Sequence, residues 1–264
     1  MNELKNAIKN KNVILFIGAG ISMNLNIPSW NDLIDHMSEE LGYDKGVFNS
    51  YGNYLSLAEF YEIKKKNIDS LKSWMNRELH KTSINIKDSK IHKLIVDIDA
   101  PLIYTTNYDR WIEHAYEYYG KKYRKISNVG DLVNLRNDET QIIKFHGDLD
   151  DDNNSIVLTE SSYFERLNFE TPLDIKFRAD SLGKNILFIG YSLSDVNIRF
   201  LFYKLSKLWE DSNINNRPKS YIFLRKPNPI QEAVLKKRGI NAIISKKENI
   251  TEGLEELLEE LIYK

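Results

Sequence analysis

The chain contains no cysteine. That excludes disulfides, cysteine-ligated zinc and a cysteine nucleophile, and it fits a reducing, cytoplasmic setting. A surplus of either charge is also missing: 37 Lys and Arg against 38 Asp and Glu leave a formal net charge of −1. Direct nucleic-acid binding usually needs a basic excess to engage phosphates, so none is expected. Long apolar runs are absent as well. Stretches such as Ile186–Ile189 are far too short to span a bilayer, and the opening residues read as a charged helix, not a signal peptide. Internal repeats and low-complexity linkers are not seen.

What is present is a soluble composition, 42% hydrophobic and 28% charged, sufficient for one α/β domain over 1–264. Val13–Ile17 is an uninterrupted apolar run rich in β-branched residues, as expected of a strand covered on both faces. Similar runs recur at Pro101–Thr105, Gln141–Phe145, Asn185–Ile189 and Ser220–Leu224, with an edge strand expected over Gly239–Ile244. Helical patterns lie between them. Ser29 three residues ahead of Asp32 predicts a helix start, and Leu55, Ala58, Phe60 and Tyr61, then Leu71, Trp74, Met75 and Leu79, predict amphipathic helices. Residues 41–91 show no strong strand signal and read as a helical insertion. The alternation predicts a doubly wound, mainly parallel, Rossmann-like sheet.

Polar clusters follow four of the strands: Gly18-Ala19-Gly20-Ile21-Ser22, Thr106-Asn107-Tyr108-Asp109, His146-Gly147-Asp148 and Gly190-Tyr191-Ser192. Ligands of open parallel sheets bind outside the carboxyl ends of the strands, so the four could share one crevice. Gly18-Ala19-Gly20 can bring backbone N–H groups close to a pyrophosphate, although the third glycine of the dinucleotide fingerprint is replaced by Met23. A tight strand-to-helix turn is the plainer reading. His146 could take a proton near neutral pH, or be a hydrogen-bonded structural histidine. Asn107 could hold a ribose hydroxyl or a water, or simply end a strand. The other histidines, His36, His80, His92 and His114, read as surface or packing residues. The acidic run 148–152 fails as a calcium loop: Asn153 stands at the sixth position, and Thr159 takes the place of the final glutamate.

Taken in order, Gly18-Ala19-Gly20-Ile21-Ser22 with Ile27-Pro28-Ser29-Trp30, then Thr106-Asn107-Tyr108-Asp109, Phe145-His146-Gly147 and Gly190-Tyr191-Ser192 resemble the signature of the sirtuin family. The resemblance implies a sirtuin-type fold with NAD as substrate. It implies Asn107 and His146 as catalytic residues, and Gly18, Ala19, Gly20, Ser22, Trp30, Asp109, Gly190 and Ser192 as NAD contacts. Two departures narrow it. Deacetylating sirtuins carry a four-cysteine zinc module, and their Asp-Phe-Arg after the proline is Ser29-Trp30-Asn31 here. Residues 155–160 with Tyr163, and Gly190 to Asp195, resemble the bacterial anti-phage defence branch. That branch implies NAD glycohydrolysis without a metal, a homo-oligomer, and a separate activator such as a HerA-type ATPase. NAD-dependent deacylation and non-catalytic binding of NAD or ADP-ribose stay open as alternatives.

Overall fold

The computed structural model describes residues 1–150, 156–168, 170–193, 196–211 and 217–263. The parts of the acidic run and of the Gly190–Asp195 stretch that fall on 151–155 and 194–195 lie outside the described residues.

Seven strands form one sheet: β1 (Val13–Ile17), β2 (Leu102–Thr105), β3 (Tyr123–Ile126), β4 (Thr140–Lys144), β5 (Asn185–Ile189), β6 (Ser220–Leu224) and β7 (Ile240–Ile244), in the order β3-β4-β2-β1-β5-β6-β7. Every pairing is parallel. The helices α1 (Asn2–Lys9) and α2 (Ala19–Ser22) flank β1. Between α2 and β2 run α3 (Trp30–Leu41), α4 (Lys45–Ser50), α5 (Tyr54–Lys65), α6 (Asp69–Leu79) and α7 (Lys90–Ile98), and no strand interrupts them. Then come α8 (Trp111–Tyr118), α9 (Glu160–Glu165), α10 (Pro172–Gly183), α11 (Val196–Asp211), α12 (Pro229–Lys237) and α13 (Ile250–Tyr263).

Side chains alternate across a strand, so β1 feeds two cores. Val13, Leu15 and Ile17 join a layer with Leu4, Ile95, Ile112 and Leu258, from α1, α7, α8 and α13. Ile14 and Phe16 face Phe177, Leu201 and Leu235, from α10, α11 and α12. This is the doubly wound sheet that the buried apolar runs predict. The edge strand β3 carried no such signal. Its sequence Tyr-Arg-Lys-Ile buries only Ile126, as an edge strand with charged residues can.

A third core lies over the carboxyl ends of the strands. Leu33, Met37, Phe48, Tyr61, Leu71 and Met75 pack together on Tyr108, Leu149, Ile156 and Leu158. Helices α3 to α6 thus rest on residues that follow β2 and β4. α3 opens with the predicted capping box: Asp32 Oδ2 accepts from the Ser29 N–H at 2.7 Å, and the Asp32 N–H reaches Ser29 Oγ.

Candidate functional site

The strands that carry the four polar clusters, β4, β2, β1 and β5, are consecutive neighbours at the middle of the sheet. From β1 the chain reaches β2 on one side and later returns to β5 on the other. Their carboxyl ends therefore form the crevice at a topological switch point, the place where such folds bind ligands.

At β1 and β5 two turns press together. The Gly18 N–H donates to the Ile189 carbonyl at 3.0 Å and the Gly20 N–H to the Gly190 carbonyl at 2.9 Å. A Cβ on Gly18 would stand 2.4 Å from the Gly190 oxygen, and one on Gly20 would stand 2.9 Å from it. Gly190 itself has φ +60°, and its Cβ would meet the Ile21 nitrogen at 2.6 Å. These glycines are therefore required by turn packing before any ligand is considered. Two of the N–H groups expected to approach a pyrophosphate are engaged within the protein. The following helix α2 is a single turn.

At β2, Thr105 Oγ1 donates to the Ile17 carbonyl at 2.9 Å and accepts the Asn107 N–H at 3.0 Å. Asn107, 6% exposed, donates from Nδ2 to Ser22 Oγ at 3.2 Å. Its Oδ1 is buried with no hydrogen-bond partner among the described residues. A native buried acceptor left open calls for an explanation such as a ligand or a water. Ser22 and Asn107, predicted to share a site from positions far apart in the chain, are thus in contact. Asp109 uses Oδ1 to accept the Trp111 N–H at 3.2 Å at the start of α8, and so fixes the exit of the turn.

At β4, His146 is buried. Its carbonyl accepts the Val157 N–H at 3.0 Å, and Nδ1 lies 3.4 Å from the Tyr163 hydroxyl, with the two rings edge to face. Tyr163 sits on α9, which is tied to α5 where Ser161 bonds Glu59. The Arg166 guanidinium bonds the Phe145 carbonyl and the buried Asp174 carboxylate.

Trp30 and Ser192 lie further out. Trp30 is half-buried at the start of α3, stacked on Tyr54 at 6.0 Å and edge-on to Tyr108 at 6.4 Å. It reaches the Asn107 turn through Tyr108. Ser192 is exposed.

One feature of the site was missed in the sequence. Lys144, the last residue of β4, is fully buried; it faces Glu113 of α8 at 3.3 Å and donates to the Asp109 carbonyl. Burial raises the Glu113 pKa, against the pull of Lys144. Asp148, also fully buried, sits 3.1 Å from Lys125. Burial would raise its pKa, but Lys144, the Asp150 N–H and Lys125 together hold it below the ordinary value. The signal was available: a lysine in Gln141-Ile142-Ile143-Lys144-Phe145, a run expected to be a buried strand, must have a partner.

Among the described residues, no group of three or more His, Asp and Glu side chains could hold a metal ion, and no helix is long and apolar enough to cross a membrane. Two surface clefts, of about 490 and 570 Å³, lie away from the crevice, one beside Asn24–Asn26 and one between α1 and α13. At the crevice Ser22, Asn107, Asp109 and His146 are all buried.

A family profile described as SIR2-like domain matches residues 101–243, more than half of the chain and the part that holds Asn107, His146 and Gly190. The chain is 23% identical over 212 residues to the NAD(+) hydrolase ThsA of Bacillus cereus (strain MSX-D12), covering 80% of this chain and 43% of that protein. It is 30% identical over 244 residues to defense-associated sirtuin 2 of Bacillus subtilis, covering 89% of this chain and 23% of that protein. The chain thus spans less than half the length of either relative. A crystal structure of a SIR2 homologue in complex with NAD aligns with a TM-score of 0.52 at 13% identity, over 99% of this chain and 93% of that one. That likeness is one of fold.

Proposed function

The chain belongs to the SIR2-like domain family, and from that premise we propose that it binds NAD at the crevice and hydrolyses the nicotinamide–ribose bond, as an effector of anti-phage defence. The products would be nicotinamide and ADP-ribose. The C–N bond breaks with its electron pair leaving on the nicotinamide nitrogen, a water oxygen bonds to the ribose carbon, and the water gives up a proton. The observation that carries this reading is the pairing at the centre of the sheet. Asn107, just past the end of β2 with an open buried Oδ1, stands against Ser22, and His146 lies two residues past the end of the adjacent strand β4.

The roles follow from donor and acceptor chemistry. Asn107 Oδ1 accepts from a ribose hydroxyl or holds the attacking water. His146, whose Nδ1 lies 3.4 Å from the Tyr163 hydroxyl, serves as base toward a ribose hydroxyl or the water, or orients the water, in the tautomer that leaves the lone pair on Nε2. Gly18, Ala19, Gly20, Ser22, Gly190 and Ser192 border the diphosphate side. Trp30 and Asp109 border the nicotinamide and ribose side. The buried crevice supports an effector held shut until assembly or a separate activator, such as a HerA-type ATPase, opens it. A homo-oligomer is part of this reading, and light scattering on the purified protein measures it.

Incubation with NAD, with and without an acetylated peptide, tests the proposal. Nicotinamide release without peptide is the expected result. Release that strictly requires peptide would make the protein a deacylase. Binding without turnover, in the assembled and triggered protein, would make it a sensor.

A further inference from the structure

We propose that Lys144 is a positioning residue for the turn that carries Asn107: its buried ammonium clamps the Asp109 backbone carbonyl and thereby sets where the Asn107 amide stands. The inference rests on the reading of Asn107 as a catalytic residue.

The turn is held at three points. At its entry, Thr105 Oγ1 bonds both the Ile17 carbonyl and the Asn107 N–H. At its exit, Asp109 Oδ1 accepts the Trp111 N–H. The third point is the Asp109 carbonyl, which receives Lys144 Nζ. Lys144 is the register partner of Thr105 across β2 and β4. The two polar side chains that fix the turn thus stand side by side on adjacent strands, one below its entry and one below its exit.

The burial of Lys144 argues that it has such a task. Its side chain is fully buried, and Ile143 and Phe145 on either side show that this stretch is built of large apolar residues. An ionised group is costly to remove from water unless paired and hydrogen-bonded, and a well-packed apolar residue often serves stability as well. Glu113, 3% exposed, supplies the countercharge at 3.3 Å. A lone ion pair would need only Lys144 and Glu113. Here the ammonium also reaches the backbone of the turn. Rate depends steeply on such placement, since a displacement of about 1 Å can cost roughly 10²-fold.

Crossed substitutions separate positioning from stability. Lys144→Met alone leaves Glu113 buried without a partner and is prone to unfold. The double variant Lys144→Met with Glu113→Met removes both charges together. It loses the help of Lys144 to the buried Asp148, which keeps Lys125, so it should unfold at somewhat lower urea than the parent yet stay folded by circular dichroism without urea; there its kcat for nicotinamide release should fall by roughly 10²-fold with KM within about threefold, because the diphosphate side is untouched. Amide exchange should quicken over residues 105–111 and stay parental in β5 and β6. Glu113→Gln keeps the clamp and weakens only the ion pair, so it should unfold at lower urea while kcat stays within about threefold of the parent. Parental kcat, or parental exchange over 105–111, in the folded double variant would overturn the inference. If the parent protein, assembled and triggered, releases no nicotinamide, the hydrolase reading fails, and the exchange rates alone decide whether Lys144 holds the turn.

Discussion

Asn107 and His146 show what one residue type in one place can be asked to do. His146→Ala should lower nicotinamide release by roughly 10²-fold or more, the usual worth of a positioned acid or base. Asn107→Ala should lower it too, with the fold retained by circular dichroism, since neither side chain belongs to an apolar core. NAD affinity, measured by calorimetry, should fall much less than the rate in both. Parental turnover by both folded variants would remove them from the mechanism. His92 makes a different, pH-dependent prediction. It is fully buried on α7 with Nδ1 2.7 Å from Ser89 Oγ, and burial pushes its pKa down to about 4. The unfolded chain takes up this proton near pH 6.5, whereas the folded protein resists until about pH 4. The stabilisation is therefore complete above pH 6.5 and is lost as the pH falls to 4, on the order of 3 kcal/mol. Urea unfolding at pH 7, 5 and 4 measures it, and in His92→Leu the slope over that interval should flatten. Both catalytic candidates were legible in the sequence because each follows an unmistakable apolar run. Lys144 was not singled out, because one lysine inside such a run is easily passed over as part of the strand.

Among elements, the turns after β1 and β5 act as one unit. Gly190→Ala would place a Cβ against the Ile21 nitrogen in a backbone conformation that L-residues rarely adopt. A loss of about 2 kcal/mol or more is expected in thermal or urea unfolding. Gly20→Val should likewise unfold more easily, since its Cβ meets the Gly190 carbonyl. From sequence alone the same substitution reads only as a block to phosphate approach. A Gly20→Val protein with parental stability and weakened NAD binding would restore that simpler view. The buried strands were readable because parallel strands covered on both faces are apolar throughout. β3 was not, because a strand paired on one side only can carry Arg124 and Lys125. The capping box at Ser29 was readable because its chemistry is local, three residues from acceptor to donor.

For the whole molecule, strand order was the property least accessible to sequence. Nothing in the runs themselves says that β4 inserts between β2 and β3, or that β5 returns to the far side of β1. Yet that order is what makes neighbours of four polar clusters drawn from positions 18 to 192. The core above them has a further consequence. Leu33, Met37, Tyr61 and Met75 lie on a floor of Tyr108, Leu149, Ile156 and Leu158; Tyr108 adjoins Asn107 after β2, and the other three follow β4 and His146 within twelve residues. Helices α3 to α6 are therefore not a detachable module. Excising them would strip the roof from the turns that carry Asn107 and His146, and grafting a foreign helical cap would set new knobs on an old floor. In the history of such a protein, roof and floor can change only together. Substitutions at Met37 or Met75 should be matched by compensating ones at Tyr108 or Leu158, while the Asn107 and His146 between them stay fixed.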